Sequence, residues 1–102
     1  MAYLYEDFFE LFKAIYPDVL TLSRGEELIE IKLTFNNPIS SIEELSVSAE
    51  IGSYPFQLIN IINLQFSKDS LKFSLYITKS GFLSIYLSLN SRSYKLVTYV
   101  IY

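Results

Sequence analysis

Residues 71–89 read LKFSLYITKSGFLSIYLSL, and their alternation decides the fold. Leu71, Phe73, Leu75 and Ile77 alternate with Lys72, Ser74 and Tyr76. After Ser80 and Gly81, Leu83, Ile85, Leu87 and Leu89 alternate with Ser84, Tyr86 and Ser88. Successive side chains of a strand point to opposite faces, so a period of two over this length predicts two strands, each with one buried and one wet face. Ser80 and Gly81 have the chemistry of a tight turn and predict a hairpin between them.

The same pattern extends outward in both directions. Ile29, Ile31, Leu33 and Phe35 predict a strand over 28–35, and Leu45, Val47, Ala49 and Ile51 predict another over 43–51. Residues 18–23 form a shorter strand-like run, joined to the strand at 28–35 through a turn at Arg24 and Gly25. The tail, 94–102, holds SYKLVTYVIY's apolar end and predicts a last strand; aligned with 43–51, it sends Leu96, Thr98, Val100 and Tyr102 inward and Lys95, Val97, Tyr99 and Ile101 outward.

Two segments carry a helical spacing instead. Leu4, Phe8, Leu11, Phe12 and Ile15 fall on one face of a helix over 4–15, which Pro17 ends. Pro55 opens PFQLINIINLQF (55–66), where Gln57, Asn60 and Asn63 recur every three residues, although Ile59, Ile61 and Ile62 also favour a strand. The expected fold is therefore α+β: two similar helix-strand-strand-strand motifs in tandem, mainly antiparallel sheet, within one domain over 1–102. The competing reading is an α+β domain whose halves are alike only because both contain the same common elements.

Composition narrows the chemistry. With 51% hydrophobic and 19% charged residues the chain has ample apolar surface for a core, and a domain of 102 residues buries roughly 60 to 65% of its unfolded surface. Cys and His are both absent, which removes thiolate and imidazole nucleophiles and the usual zinc ligands. No cofactor is expected. The acidic start MAYLYEDFFE does not read as a secretory signal, and LINIINL (58–64) and LVTYVIY (96–102) are too short for a membrane helix, so no membrane insertion is expected. Glu6–Asp7, Glu26–Glu27 and Glu43–Glu44 are paired carboxylates; solvated charge explains them, with Ser40–Glu43 and Ser41–Glu44 at capping-box spacing.

Charge divides the chain. Residues 1–51 hold ten acidic against three basic side chains, a balance of −7, and residues 52–102 hold one against five, a balance of +4. Oppositely charged halves attract each other, or the same halves of a second copy. Within the basic half, Lys72, Tyr76, Tyr86, Tyr94, Lys95 and Tyr99 are the candidate binding residues, because tyrosine offers rigid amphipathic area and serine beside it adaptable hydrogen bonds. The bland alternative is that the other half, or a second chain, covers this face.

The run MAYLYEDFFELFKAIYPDVL (1–20), the length, the richness in Ile, Leu, Tyr, Ser and Glu and the lack of Cys, His and Trp resemble small proteins of the filamentous viruses that infect Acidianus, a hyperthermophilic acidophilic archaeon. The resemblance spans the chain and implies a heat-exposed viral protein of the host cytoplasm or the virion. It carries over no functional residues. The expected function is a non-enzymatic protein- or peptide-interaction module, binding a segment in a groove between the halves or on a sheet edge. The alternative is single-stranded nucleic-acid binding, with Tyr76, Tyr86 and Tyr99 stacking bases and Lys72 and Lys95 meeting phosphates. A sequence pI of about 4.8 argues against that second reading.

Overall fold

Alternating apolar residues need a second apolar face to bury against, and this chain meets that need with two sheets around one core. A computed structural model describes residues 2–22, 25–39, 44–52 and 55–102. In chain order the elements are β1 (Ala2–Leu4), α1 (Glu6–Leu11), β2 (Phe12–Tyr16), β3 (Glu27–Phe35), β4 (Leu45–Ile51), β5 (Gln57–Ile59), β6 (Ile61–Phe66), β7 (Ser70–Ile77), β8 (Gly81–Leu89) and β9 (Arg92–Ile101). One sheet has the order β1-β9-β8-β4-β5 and the other β2-β3-β7-β6, with antiparallel pairing between all neighbours.

Among the described residues the chain is thus mostly antiparallel sheet with one short helix, closer to all-β than to α+β. The five longest strands lie where the alternation places them, to within one or two residues. Ile31, Leu33, Leu71, Phe73, Leu75 and Ile77 from one sheet meet Leu83, Ile85, Leu96, Val97 and Tyr99 from the other, all fully buried in one cluster. Burying each such side chain stabilises the fold by about 1.5–3 kcal/mol before conformational entropy is counted. A ladder of rings, Phe8 on Phe12 (5.6 Å), Phe12 on Phe35 (4.9 Å) and Phe35 on Phe66 (5.8 Å), ties α1 and β2 to β3 and β6.

The expected helices give way to strand, the first in part and the second throughout. Of residues 4–15 only Glu6–Leu11 are helical, because Leu4 finds a ladder partner in Val97 and Phe12 and Ile15 find theirs in Phe35 and Leu33. A single helical turn or two is marginal by itself, and α1 has no side-chain cap at Tyr5. Residues 55–66 supply β5 and β6, so the β-branched Ile59, Ile61 and Ile62 outweigh the three-residue recurrence of Asn and Gln. Asn63 sits at φ 54 in a bulge of β6. The expected strand at 18–23 reduces, among the described residues, to a parallel bridge of Leu20 to Ile101. Arg24, and Ser40, Ser41 and Glu43 of the two capping boxes, lie outside the described residues, while Gly25 adopts φ 80 before β3.

The tandem arrangement is not confirmed. β3 pairs with β7 and β4 with β8, so each sheet takes strands from both halves and the halves do not sit side by side as units. The Ser80–Gly81 turn does not close a hairpin: it hands the chain from the four-stranded to the five-stranded sheet, with Gly81 at φ 136 passing close to Gly52. The tight hairpin lies instead at Asn90–Ser91, where φ values of 49 and 70 form a two-residue turn between Leu89 and Arg92.

The inward and outward sets of the tail are also corrected. Lys95 lies opposite Tyr86 and Val97 opposite Ile85, leaving Leu96 as an extra residue in β9. This bulge reverses the strand's parity. Tyr94 and Leu96 face inward before it, Val97, Tyr99 and Ile101 after it, and Thr98 and Val100 turn outward. Tyr99 is 0% exposed, and its hydroxyl donates to the Pro17 carbonyl oxygen at 2.8 Å.

Two outcomes follow for stability. Ser91→Gly replaces a left-handed non-glycine residue and creates an Asn-Gly turn, so urea unfolding is expected to show a gain of about 0.5 kcal/mol; a loss would contradict the turn geometry. Burial, with Asp18 nearby, raises the Tyr99 hydroxyl far above its ordinary 10.0. The folded chain then keeps a proton that the unfolded chain has released, so the stability is full below pH 10 and declines above it. Between about pH 9 and about pH 11, wild type is expected to lose about 1.4 kcal/mol more per pH unit above the ordinary tyrosine range than Tyr99→Phe does. Equal slopes would place Tyr99 in contact with water.

Candidate functional site

On the outer face of the five-stranded sheet the ladder aligns Tyr3, Thr98, Ser84, Glu50 and Leu58 in one cross-strand row. The next row toward one end pairs Val100 with Phe82, and the next toward the other pairs Lys95 with Tyr86 and Tyr86 with Ser48. Beyond these, Ser93, Ser88 and Ser46 make the far end polar. The near end is aromatic. Tyr3 is 65% and Phe82 56% exposed, and with Tyr5, Thr98 and Val100 they line a groove of about 470 Å³. A second hollow of about 390 Å³ continues past Tyr3 and Tyr5 to Glu6, Asp7, Phe9 and Lys95.

The floor of this surface is held by its own hydrogen bonds. Tyr5 OH and Ser84 Oγ each lie 2.9 Å from Thr98 Oγ1, and Tyr86 OH donates to Glu50 Oε1 at 2.9 Å. The backbone N–H of Tyr5 donates to the Leu96 carbonyl at 3.1 Å, which continues the β1–β9 ladder by one residue, and Tyr3 packs edge-on against the Tyr5 ring at 4.8 Å. The Lys95 ammonium stands 4.7 Å from the centre of the Tyr5 ring and 5.7 Å from that of Tyr86. Its backbone N–H donates to Asp7 Oδ2 at 3.2 Å.

These contacts displace the titration of the group. Burial opposes the charge on Lys95, but hydrogen bonding and charge from Tyr5 and Tyr86 outweigh it, so its pKa is raised. The hydrogen bond to Thr98 chiefly, with Lys95 acting against the smaller effect of burial, lowers Tyr5. Burial first, then the hydrogen bond to Glu50, raises Tyr86. Lys95 is thus a fixed cation between two rings, with the attraction of charge for the ring faces holding it in place. The arrangement offers aromatic area, satisfied hydroxyls and one positioned charge. Among the described residues no three of His, Cys, Asp and Glu gather where they could hold a metal ion.

Of the six expected site residues, this face brings together only Tyr86 and Lys95. Tyr94 and Tyr99 point into the core, Tyr94 with the Arg92 guanidinium 4.7 Å from its ring centre. Lys72 and Tyr76 lie on the outer face of the opposite sheet, where Lys72 faces Lys32, Tyr76 faces Leu28, and a hydrogen bond to Glu26 chiefly raises the Tyr76 hydroxyl. A hollow of about 410 Å³ adjoins Lys72, lined also by Glu30, Lys32, Gln65 and Phe66. The six expected residues are therefore divided among the core and the outer faces of the two sheets.

Tyr3, Tyr5 and Phe82 were not expected at the site. The signal for the first two was present in AYLYE, where Tyr3 and Tyr5 flank Leu4 at period two, but the longer helical spacing from Leu4 to Ile15 obscured it. Phe82 shares the parity of Ser84 and Tyr86 but lies one residue before the alternation that begins at Leu83. Comparison with protein-family models, curated proteins and solved structures returned no match.

Proposed function

We propose that the chain is a non-enzymatic interaction module that holds an extended peptide or protein segment on the outer face of the five-stranded sheet. Apolar side chains of the segment, two residues apart, sit in the groove of Tyr3, Tyr5, Phe82 and Val100. The observation that carries this reading is the exposure of Tyr3 and Phe82 on a rigid sheet around a floor whose hydroxyls are already paired. Exposed aromatic area of this kind is the usual anchor of an interface, and polar groups bonded to one another leave nothing for an apolar ligand to strand unpaired. The groove also lies where β1 of the first half meets β8 and β9 of the second, so a junction between distant parts of the chain supplies it. The resemblance to proteins of Acidianus filamentous viruses makes the bound segment one of a viral or host protein.

Selection of random peptides displayed on phage against the folded chain tests the proposal. Enrichment of peptides with alternating apolar or aromatic residues is expected, and Tyr3→Ser with Phe82→Ser is expected to weaken their binding by about tenfold or more. Tyr76→Ala, on the opposite sheet, leaves the affinity unchanged. Peptides that bind the double variant as well as wild type would overturn the placement.

A further inference from the structure

Residues 55–67, PFQLINIINLQFS, contain no charged side chain, and they form the strands that end both sheets on one side: β5 for the five-stranded sheet and β6 for the four-stranded one. An edge strand presents N–H and C=O groups without a sheet partner, and proteins commonly blunt such edges with charge, proline or a covering element. Of the opposite edges, β1 is only three residues long, and β2 contains Lys13. β6 has neither charge nor proline, and Ile62, Leu64 and Phe66 remain 38%, 41% and 41% exposed, while Leu58 of β5 is 77% exposed. Its one irregularity is the bulge at Asn63.

We propose that this side joins two copies of the chain, β6 of each pairing antiparallel across a two-fold axis so that the four-stranded sheets merge into one of eight strands. The occupant follows from charge. Around a two-fold axis a strand meets its own sequence reversed, and a charged residue near the axis faces its own like. The neutral β5–β6 side is free of that repulsion, whereas self-pairing at β2 brings Lys13 toward its own like. With about 200 Å² for a large side chain, Ile62, Leu64 and Phe66 expose roughly 240 Å² per copy. That is under the roughly 800 Å² per partner of a standard interface, so the dimer is a weak one that fills at high protomer concentration.

Sedimentation velocity on the full chain, from about 10 µM to about 500 µM, tests the pairing, since a dimer's population rises with protomer concentration. The mass is expected to rise from 11.8 kDa toward twice that value. Leu64→Lys is expected to stay monomeric, and Gln65→Glu, a change that places a carboxylate opposite Lys72 within the chain and a like charge across the axis, is expected to weaken the dimer about tenfold or more. Phe82→Lys, on the peptide groove, leaves it intact, so the two proposals fail independently. A wild-type monomer at all concentrations, or a dimer indifferent to both β6 variants, overturns the proposal. So does a monomer whose β6 amides gain exchange protection only on adding a display-selected peptide, an outcome that assigns the edge to a foreign segment.

Discussion

The structure depends on one extra residue in β9. Leu96 opposes no residue of β8, and by taking up that position it lets the strand bury Tyr94 and Leu96 with one parity and Val97, Tyr99 and Ile101 with the other. A regular strand would leave one of these sets in water and turn either Lys95 or Thr98 into the core. The bulge avoids both outcomes. It explains why the end of the chain is apolar on alternate and on consecutive positions, a pattern that a single inward face cannot accommodate.

The surface chemistry follows from the same irregularity. Lys95 and Thr98 are three positions apart, an interval that an unbulged strand would split between its two faces, yet both project from the outer face. There Thr98 receives Tyr5 and Ser84, and Lys95 stands between Tyr5 and Tyr86. β1 contributes only three residues but completes the site, because its register against β9 sets Tyr3 opposite Thr98 and leaves the Tyr3 ring beside Phe82 and Val100 across the groove. The rings of Phe8, Phe12, Phe35 and Phe66 secure the chain where it passes from β1 to the second sheet.

Much of the strand content was legible, because period-two alternation is a local property: Ile29 to Phe35 and Leu71 to Ile77 announce their buried faces without reference to a partner. What those strands pair with is not local. The alternation of β7 and β8 is the same whether they form a hairpin or belong to different sheets, so the transfer at Gly81 was invisible, as was the mixing of the two halves. The stretches 4–15 and 55–66 fit two periods at once, and tertiary hydrogen bonding to β9, β3, β4 and β7 decided between them. At the site, Tyr86 and Lys95 could be read from parity alone. Tyr99 could not, because a bulge between it and Lys95 leaves no mark in composition.

The most direct measurement is a map of backbone amide chemical shifts on titrating the isotopically labelled chain with a display-selected peptide. The account predicts the largest changes at Tyr3, Tyr5, Phe82, Thr98 and Val100, with Lys32, Lys72 and Tyr76 on the opposite sheet unaffected. Shifts centred on Lys32 and Lys72, or on β6, with the Tyr3–Phe82 groove silent, would contradict it.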